Sequence, residues 1–433
     1  MVDYTVAGVE GGLCAPRGFR ASAVDAGLTS GPGPDLGLVV SQQTSMAAGR
    51  FTTHPFASAP VRWSRAQLRS GVARAVLVHA GSANAATGPE GDGDSAALAA
   101  RCAAAIGCPP GEVLLLGTGA VGVRLAVADA AEAADKAAAA LGRRGSGEVA
   151  KAMTASGGVA REHAVAVAWS EGEVRIGGAA KASVPFAPAF EHPLDRGSRP
   201  TGAPPWGSPS PPDPLPSGPA TTLVMLTTDA TVEAGVLDGL LGRAVARSLE
   251  RVMVDQAPGM ADAAVLLANA TAAAPTLRAG SDGAAAFESA LTQLCETLAE
   301  ALALRVPGAR KLVVVTVHGA ADHTDALAAA RAVAGSVALR AALAAGLPSW
   351  PAVLDALATA GVALVPGRVG ISFGPVTVVA DGRSAAHDER AAASVAAKAQ
   401  VDLAVDLGVG PAAATVTTTD LPPEALRRHG ELD

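Results

Sequence analysis

Thr221 lies where the composition of the chain changes abruptly, at a position that suits a nucleophile released by self-cleavage. Nine prolines precede it between Pro193 and Pro216, and the apolar run Leu223 to Leu226 follows it. Proline has no backbone N–H, so the composition predicts that coil gives way to a buried strand here. Cleavage of the Ala220–Thr221 bond would leave a hydroxyl and an amine on neighbouring atoms, and the amine could activate the hydroxyl. A Thr-Thr pair at a strand start is, however, usually only a strand edge.

A glycine-rich loop, G-T-G-A-V-G at residues 117–122, is a second candidate site. It follows the predicted strand Val113–Leu116 and precedes a helical run from Val123 to Leu141, as a dinucleotide-binding fingerprint would. That fingerprint also needs an acidic residue about 20 positions on, where this chain reads G-R-R-G at 142–145. A tight turn is the other interpretation; it explains the glycines but does not require Thr118.

Metal and cofactor sites have little support in the sequence, and we expect neither a metal nor a cofactor. The four cysteines lack Cys-x-x-Cys spacing and paired histidines, which argues against zinc and indicates reduced, mostly buried thiols; they are Cys14, Cys102, Cys108 and Cys295. His79 follows the predicted strand Ala75–Val78. It could act as a base or be a plain structural histidine.

The composition limits the class of protein. With 433 residues the chain can form one large domain or two and bury a sizeable core. The net charge of −7 is spread without a basic stripe, which argues against a nucleic-acid partner. No apolar run approaches the roughly 18 residues of a spanning helix, and the first residues do not resemble a signal peptide. We therefore expect a cytoplasmic protein without a membrane partner.

Hydrophobic periodicity predicts helices and strands that alternate along the chain. The runs His163–Trp169 and Glu173–Gly178 indicate a hairpin. Further predicted strands are Leu36–Val40, Leu223–Leu226, Leu312–Val317, Val369–Phe373, Val376–Val379 and Ala414–Thr418. Predicted helices cover Asp94–Ala105, Thr231–Leu249, Asp262–Ala272 and Ala284–Ala303. The sequence thus predicts an α/β fold of layered sheets and helices.

From about Gly8 to about Asp420 the chain resembles the ornithine acetyltransferase (glutamate N-acetyltransferase) family. Members of that family cleave themselves at the Ala-Thr bond of A-T-M-L, which L-T-T-D-A follows. Here residues 220–223 read A-T-T-L and residues 226–230 read L-T-T-D-A. Residues 79–85 read H-A-G-S-A-N-A where the family has N-S-G-N-A-N-A, which favours a structural role for His79.

The resemblance implies roles for individual residues. Thr118 and Gly119 stand in a loop similar to the family's S-T-G-V-I-G, whose threonine hydroxyl and glycine amide form an oxyanion hole. Thr154 and Lys181 stand in patterns similar to M-T-T-D-T and G-G-M-A-K-G-S, and the family contacts substrate with both residues. Thr221 is then the nucleophile.

The chain departs from the family mainly in residues that recognise the substrate. Pro307 or a neighbour stands where the family has a substrate-contacting Glu. His429 falls where a substrate-contacting Asn is expected, and we include it among the substrate-binding candidates. The family's hydroxyl residue near the C-terminus has no counterpart here.

The resemblance also divides the chain at the cleavage site. Residues 1–188 form an N-terminal subunit region that carries the oxyanion loop, and 219–433 form a C-terminal subunit that begins at Thr221 after cleavage. Between them, 189–218 are a proline-rich insertion for which the composition predicts disorder. The two subunits come from one precursor and are expected to assemble into a larger homo-oligomer.

The implied activity is acetyl transfer within arginine biosynthesis, through an acyl-enzyme on Thr221. The donor would be N-acetylornithine and the acceptor glutamate, both small amino-acid substrates. Two alternatives stay open because the recognition residues differ: an acyltransferase or amide hydrolase with another substrate, and a binding homologue that never cleaves. Survival of the nucleophile and the oxyanion loop favours an enzyme.

Overall fold

A mixed sheet of nine strands organises the first of two compact units in the computed structural model, which describes residues 3–183, 221–253, 258–303 and 308–422. Its strands are β1 (Tyr4–Gly8), β2 (Phe19–Val24), β3 (Leu36–Phe51), β4 (Val72–His79), β5 (Val113–Gly117), β6 (Val159–Trp169), β7 (Gly172–Ala182), β8 (Thr222–Thr228) and β9 (Ala263–Ala268). They are ordered β1-β6-β7-β8-β9-β3-β4-β5, and β2 pairs with β3. The β4–β5 and β8–β9 pairs are parallel and the other pairs antiparallel.

Helices cover both faces of this sheet. They are α1 (Ala59–Gln67), α2 (Gly88–Ile106), α3 (Val127–Ala139), α4 (Ser146–Met153), α5 (Val236–Arg247) and α6 (Asp282–Ala303). Successive strand residues point to opposite faces, so Leu77 of β4 packs in one core with α2 and α3, while Val76 and Val78 pack in another with α4. This arrangement confirms the predicted layered α/β class.

The strands β8 and β9 are central, and every residue in them is buried. A parallel strand covered on both faces reads as a continuous apolar run rather than an alternating one, as Leu223 to Leu226 does. These two strands hold the segment that begins at Thr221 and the loop that precedes Ala263.

A second sheet, of six strands, forms the second unit. Its strands are β10 (Leu312–Ala320), β11 (Gly370–Phe373), β12 (Val376–Ala380), β13 (Arg383–Ser384), β14 (Gln400–Asp406) and β15 (Ala412–Thr419), in the order β13-β12-β11-β14-β10-β15. The helices are α7 (His323–Ala334), α8 (Val337–Ala344), α9 (Trp350–Ala358) and α10 (Glu389–Ala396). Alternate valines of β10 enter a core that includes the alanines of α7, whose small side chains let helix and sheet pack closely.

Most of the predicted elements are confirmed, including the hairpin, which is β6 and β7. The helix predicted over Asp262–Ala272 is wrong, because β9 occupies Ala263–Ala268. The helix predicted from Thr231 begins only at Val236, after Gly235 with a φ of 83°. The insertion at 189–218 lies outside the described residues.

Within the described residues no single helix is long and apolar enough to cross a membrane; α7 and α8 meet that test only as a pair, bent by 52°. No group of three or more His, Cys, Asp or Glu side chains in this part of the chain could hold a metal ion. The four cysteines carry free thiols, three of them buried, as predicted.

Candidate active site

The start of β8 places Thr221 in a buried polar site. Thr221 is 1% exposed, and its carbonyl oxygen accepts a hydrogen bond from the N–H of Ser183 at 3.0 Å. The N–H of Thr222 donates to Asp262 Oδ1 at 2.6 Å. Because β7 ends at Ala182 and pairs antiparallel with β8, positions 183 and 221 are the two ends of one hairpin connection. The peptide group after Thr221 is therefore held from both sides.

The loop after β5 carries Thr118 and Gly119 and is fixed by the loop after β4. The N–H of Thr118 donates to the His79 carbonyl at 3.0 Å, and that of Ala120 to the Gly81 carbonyl at 3.1 Å. Gly119 has a φ of +128°, and a Cβ added there would lie 2.3 Å from the Gly81 carbonyl carbon. Because β4 and β5 are parallel, their carboxyl ends share one sheet edge, where the two loops meet.

This loop lacks the geometry of a dinucleotide site. In that fold the pyrophosphate binds at the N-terminus of the helix that the glycine motif opens. Here α3 begins at Val127, five residues beyond Gly122, so no glycine of the motif lies in its first turn. The glycines of this loop therefore do not lie where a phosphate would bind in that fold.

Lys181 on β7 links the oxyanion loop to the start of β8. Its side chain is fully buried, and Nζ donates to Thr118 Oγ1 at 2.5 Å and to Ser183 Oγ at 2.6 Å. Burial lowers the pKa of Lys181 to about 7, and the negative charge of Asp262 opposes that shift. The structure therefore brings together Thr118, Lys181 and, through Ser183, the implied nucleophile Thr221.

Asp262 belongs to the same cluster, and the sequence interpretation missed it. The side chain is 1% exposed; Oδ1 accepts from Thr222 and Oδ2 from the N–H of Gly259 at 2.8 Å. Burial raises the pKa of Asp262 to about 7, while the two amide hydrogen bonds and Lys181 act to lower it. A lone carboxylate directly before the apolar run from Ala263 was the available signal.

Thr154 lies at the end of α4, beside the cluster rather than within it. Its Oγ1 donates to the Lys151 carbonyl at 2.8 Å. Two residues further on, Ser156 Oγ accepts from the N–H of Gly81 and lies 3.5 Å from the Thr118 carbonyl oxygen. Thr154 is thus connected to the loop of Thr118 through the short turn that leads from Thr154 to Ser156. Three other predicted positions, Ala220, Pro307 and His429, lie outside the described residues.

His79 is buried at the end of β4, directly beneath the oxyanion loop. It is 1% exposed, and neither ring nitrogen has a hydrogen-bond partner among the described residues. Burial lowers the pKa of His79 to about 4. The imidazole is therefore neutral at physiological pH, and its backbone carbonyl, which holds Thr118, is the group that contacts the site.

The cluster has the parts that acyl transfer needs. Thr221 can supply a hydroxyl nucleophile, the loop of Thr118 and Gly119 can supply a hydroxyl and an amide donor for a developing oxyanion, and Lys181 supplies a buried amine. Donors of this kind stabilise a tetrahedral intermediate most strongly where water is excluded.

Comparison with known proteins gives matches over nearly the whole chain. The model of the ArgJ family matches residues 20–427. The arginine biosynthesis bifunctional protein ArgJ of Synechococcus sp. is 32% identical over 98% of this chain and 97% of its own length. The protein of the same name from Symbiobacterium thermophilum is 33% identical, over 97% of this chain and 98% of that protein.

Two solved structures also match, each over about half of the chain. The arginine biosynthesis bifunctional protein ArgJ of Bacillus halodurans is 26% identical, covering 49% of this chain and 98% of that one, with a TM-score of 0.46. The ornithine acetyltransferase of Mycobacterium tuberculosis, in complex with ornithine, is 32% identical, covering 43% of this chain and 100% of that one, with a TM-score of 0.39.

Proposed function

Because this chain belongs to the ArgJ family, we propose that it is an acyltransferase of arginine biosynthesis that moves an acetyl group from N-acetylornithine to glutamate. The observation that carries the proposal is the convergence of Thr118, Lys181 and the start of β8 in one buried cluster. The M. tuberculosis relative was solved with ornithine, which supports an amino-acid substrate.

We propose that the chain first cuts itself between Ala220 and Thr221. The Thr221 hydroxyl attacks the Ala220 carbonyl carbon, the acyl group moves from nitrogen to oxygen, and water then hydrolyses the ester. This leaves a carboxylate on Ala220 and a free amine on Thr221. The products are residues 1–220 and 221–433, which form the two subunits of the mature enzyme and assemble into a larger homo-oligomer.

Acetyl transfer then follows in two half-reactions. The free amine of Thr221 takes the proton of its own hydroxyl, the oxygen attacks the acetyl carbonyl, and ornithine leaves with the proton. The amine of glutamate attacks the acetyl-Thr221 ester in the second half-reaction, and N-acetylglutamate leaves. Thr118 Oγ–H and Gly119 N–H stabilise the oxyanion in both steps, a contribution of roughly 3 kcal/mol per donor.

Substrate contacts are assigned to residues around this cluster. Thr154 and Lys181 are proposed to contact the donor, and His429 to take the place of the family's Asn. The missing Glu near Pro307 should weaken selection for the amine of the substrate, because a paired carboxylate rejects ligands that lack the matching charge. Acceptors other than glutamate are therefore part of the test.

The test begins with intact mass and N-terminal sequencing of the freshly expressed chain. Fragments of residues 1–220 and 221–433 are expected for the wild type, and one uncut chain for Thr221→Ala. Thr418→Val is the matched control: this buried threonine lies on β15, and its hydroxyl has no partner among the described residues. Its cleavage should equal that of the wild type.

Activity is then measured with N-acetylornithine in the presence and absence of glutamate. Formation of N-acetylglutamate, with ornithine release beyond one equivalent per Thr221 dependent on the acceptor, supports the proposal. Acetate release that is independent of any amine would make the protein an amide hydrolase instead. A wild-type chain that stays whole and transfers nothing contradicts the enzyme assignment and favours a binding homologue.

A further inference from the structure

We infer that Lys181 and Asp262 are positioning residues: Lys181 directs the hydroxyl proton of Thr118 toward the oxyanion, and Asp262 holds the peptide group that follows the nucleophile. This inference rests on the proposed function, and it gives Lys181 a role in the chemical step beside the substrate contact proposed above.

The direction of the Thr118 hydroxyl follows from the donors and acceptors around it. The ammonium form of a lysine can donate hydrogen bonds but cannot accept them. In the 2.5 Å contact with Lys181, Thr118 Oγ1 is therefore the acceptor. The single proton of that hydroxyl must then point away from Lys181. A hydroxyl that already accepts from a cation is also a stronger donor, since hydrogen bonds in a chain polarise one another.

The other hydrogen bond of Lys181 fixes where its nitrogen lies. Ser183 Oγ accepts from Nζ at 2.6 Å, while the backbone N–H of Ser183 donates to the Thr221 carbonyl. One ammonium group therefore sets the distance between the oxyanion loop and the start of β8.

Asp262 completes the positioning from the other side. Each carboxylate oxygen accepts one backbone N–H, from Thr222 and from Gly259. The peptide group between Thr221 and Thr222 is thus gripped at its oxygen by Ser183 and at its nitrogen by Asp262. The negative charge of Asp262 also favours the ammonium form of the buried Lys181. Misplacing a nucleophile by 1 Å can cost about 100-fold in rate.

The test separates positioning from substrate contact by steady-state kinetics with N-acetylornithine and glutamate. Lys181→Met should lower kcat by about 10- to 100-fold, up to the loss known for one oxyanion donor. Lys181→Gln keeps one N–H donor and should recover part of kcat, and it serves as the folded variant if methionine is not tolerated. Lys311→Met is the control: this partly buried lysine of the second unit donates to the carbonyls of Leu343 and Ala396, and its loss should leave kcat unchanged.

A double mutant examines whether Lys181 acts through Thr118. Lys181→Met should cost much less in the Thr118→Val background than in the wild type, because the hydroxyl that it orients is gone. Additive losses, or a raised KM with an unchanged kcat, would show that Lys181 acts only through a substrate contact and would overturn the inference.

Asp262→Asn is tested by the rate of self-cleavage. An amide side chain has one acceptor oxygen and cannot accept from both backbone N–H groups, so cleavage should slow by about tenfold or more. Cleavage at the wild-type rate overturns the role of Asp262.

These readouts distinguish this inference from the proposed function. If the wild type cleaves but does not transfer acetyl groups, the proposed substrate pair fails. Lys181→Met is then judged by its rate of self-cleavage, because the attack of Thr221 on Ala220 also forms an oxyanion, which the Thr118 hydroxyl is proposed to stabilise as well; an unchanged rate overturns the inference. A wild-type chain that neither cleaves nor transfers overturns both.

Discussion

Single residues determine whether the oxyanion loop can take its shape. Gly119 combines a φ of +128° with a backbone neighbour 2.3 Å from any added Cβ. Three residues away in the same loop, Gly122 also has positive φ, at +76°, but nothing lies within 4 Å of a Cβ added there. At Gly119, both the positive φ and the close backbone contact therefore require glycine, whereas at Gly122 only the positive φ favours it.

Gly119→Ala should displace the loop and lower kcat by about 100-fold or more, because both oxyanion donors move. Gly122→Ala incurs only the cost of the left-handed conformation, about 1 kcal/mol of stability, and should keep kcat within about threefold. Steady-state kinetics and thermal unfolding of the two variants make the comparison. Equal losses in kcat would mean that the close contact at Gly119 does not control the loop.

His79 should make the fold sensitive to acid. Its pKa is about 4 in the folded chain and near 6.5 when unfolded, so between these values the unfolded chain binds more protons. The contribution of neutral His79 is complete above pH 6.5 and is lost as the pH falls toward 4, by about 3 kcal/mol in all.

His79→Asn, which installs the residue of the family motif, should lose about 3 kcal/mol less stability than the wild type between pH 7 and pH 4. Urea unfolding at several pH values measures the difference. His323→Asn, at an exposed histidine of α7, should follow the wild-type curve. Parallel curves for wild type and His79→Asn would contradict the assignment.

The sequence identified some members of the cluster and not others for a physical reason. Thr118 and Lys181 stand in motifs similar to those of the family, so the resemblance implied that they belong to one site. Asp262 has no motif of its own, because its role depends on two backbone amides that only the folded chain brings to it. Contacts across 40 residues, such as that with Thr222, leave no local periodicity.

A single ion pair, between Arg50 and Asp238, joins β3 to α5. Arg50 of β3 is 2% exposed and donates to the Asp238 carboxylate at 2.6 and 3.1 Å and to its carbonyl at 2.6 Å. Gly242, one turn further along α5, leaves the guanidinium its space, since a Cβ there would lie 2.6 Å from Arg50 Nη2. A larger residue on that helix face would displace the ion pair.

Asp238→Ala should destabilise the first unit by about 2 kcal/mol, less than for a fully buried pair because Asp238 is 39% exposed. The loss arises because the buried guanidinium is left without its carboxylate. Glu132→Ala, which breaks an exposed pair with Lys136, should cost much less, because solvent screens that pair. Urea unfolding compares the two, and a small effect at Asp238 would show that the carbonyl alone satisfies Arg50.

The hydrophobic pattern predicted the wrong element at residues 263–268, where helix propensity and burial favour different structures. Residues 263–268 read A-A-V-L-L-A, which favours a helix by intrinsic propensity, yet they form a strand between β8 and β3. A short apolar run does not distinguish a buried strand from a buried helix. The hairpin of β6 and β7 was predicted well because buried and partly exposed residues alternate from Val165 to Trp169 in β6.

In the molecule as a whole, the segments on either side of the insertion share one sheet. Ser183 and Thr221 are joined by a backbone hydrogen bond, so the connection from 184 to 220 begins and ends at the same place. Loop-closure entropy changes by only about 0.6 kcal/mol for each doubling of length. The sheet therefore does not depend on how long this connection is.

Deleting residues 189–218 shortens the connection from 37 residues to seven. In a Thr221→Ala background, where the chain stays whole, the deletion should stabilise the fold by about 1.5 kcal/mol. With Thr221 present, cleavage should still occur, and intact mass reports both the cut and its rate. A deleted chain that folds but remains uncut would show that the insertion takes part in cleavage.

The two strands β8 and β9 lie between β7 and β3. The sheet therefore cannot form strand by strand in the order in which the ribosome synthesises the chain. β7 is complete at Ala182, but β9 is complete only at Ala268. At roughly 5–20 residues per second, the edge of β7 stays unpaired for roughly 2–9 seconds until β8 is made, and the edge of β3 for roughly 11–43 seconds until β9 is made. Such edges readily pair with other chains, which makes each ribosome-bound chain a substrate for chaperones during that interval.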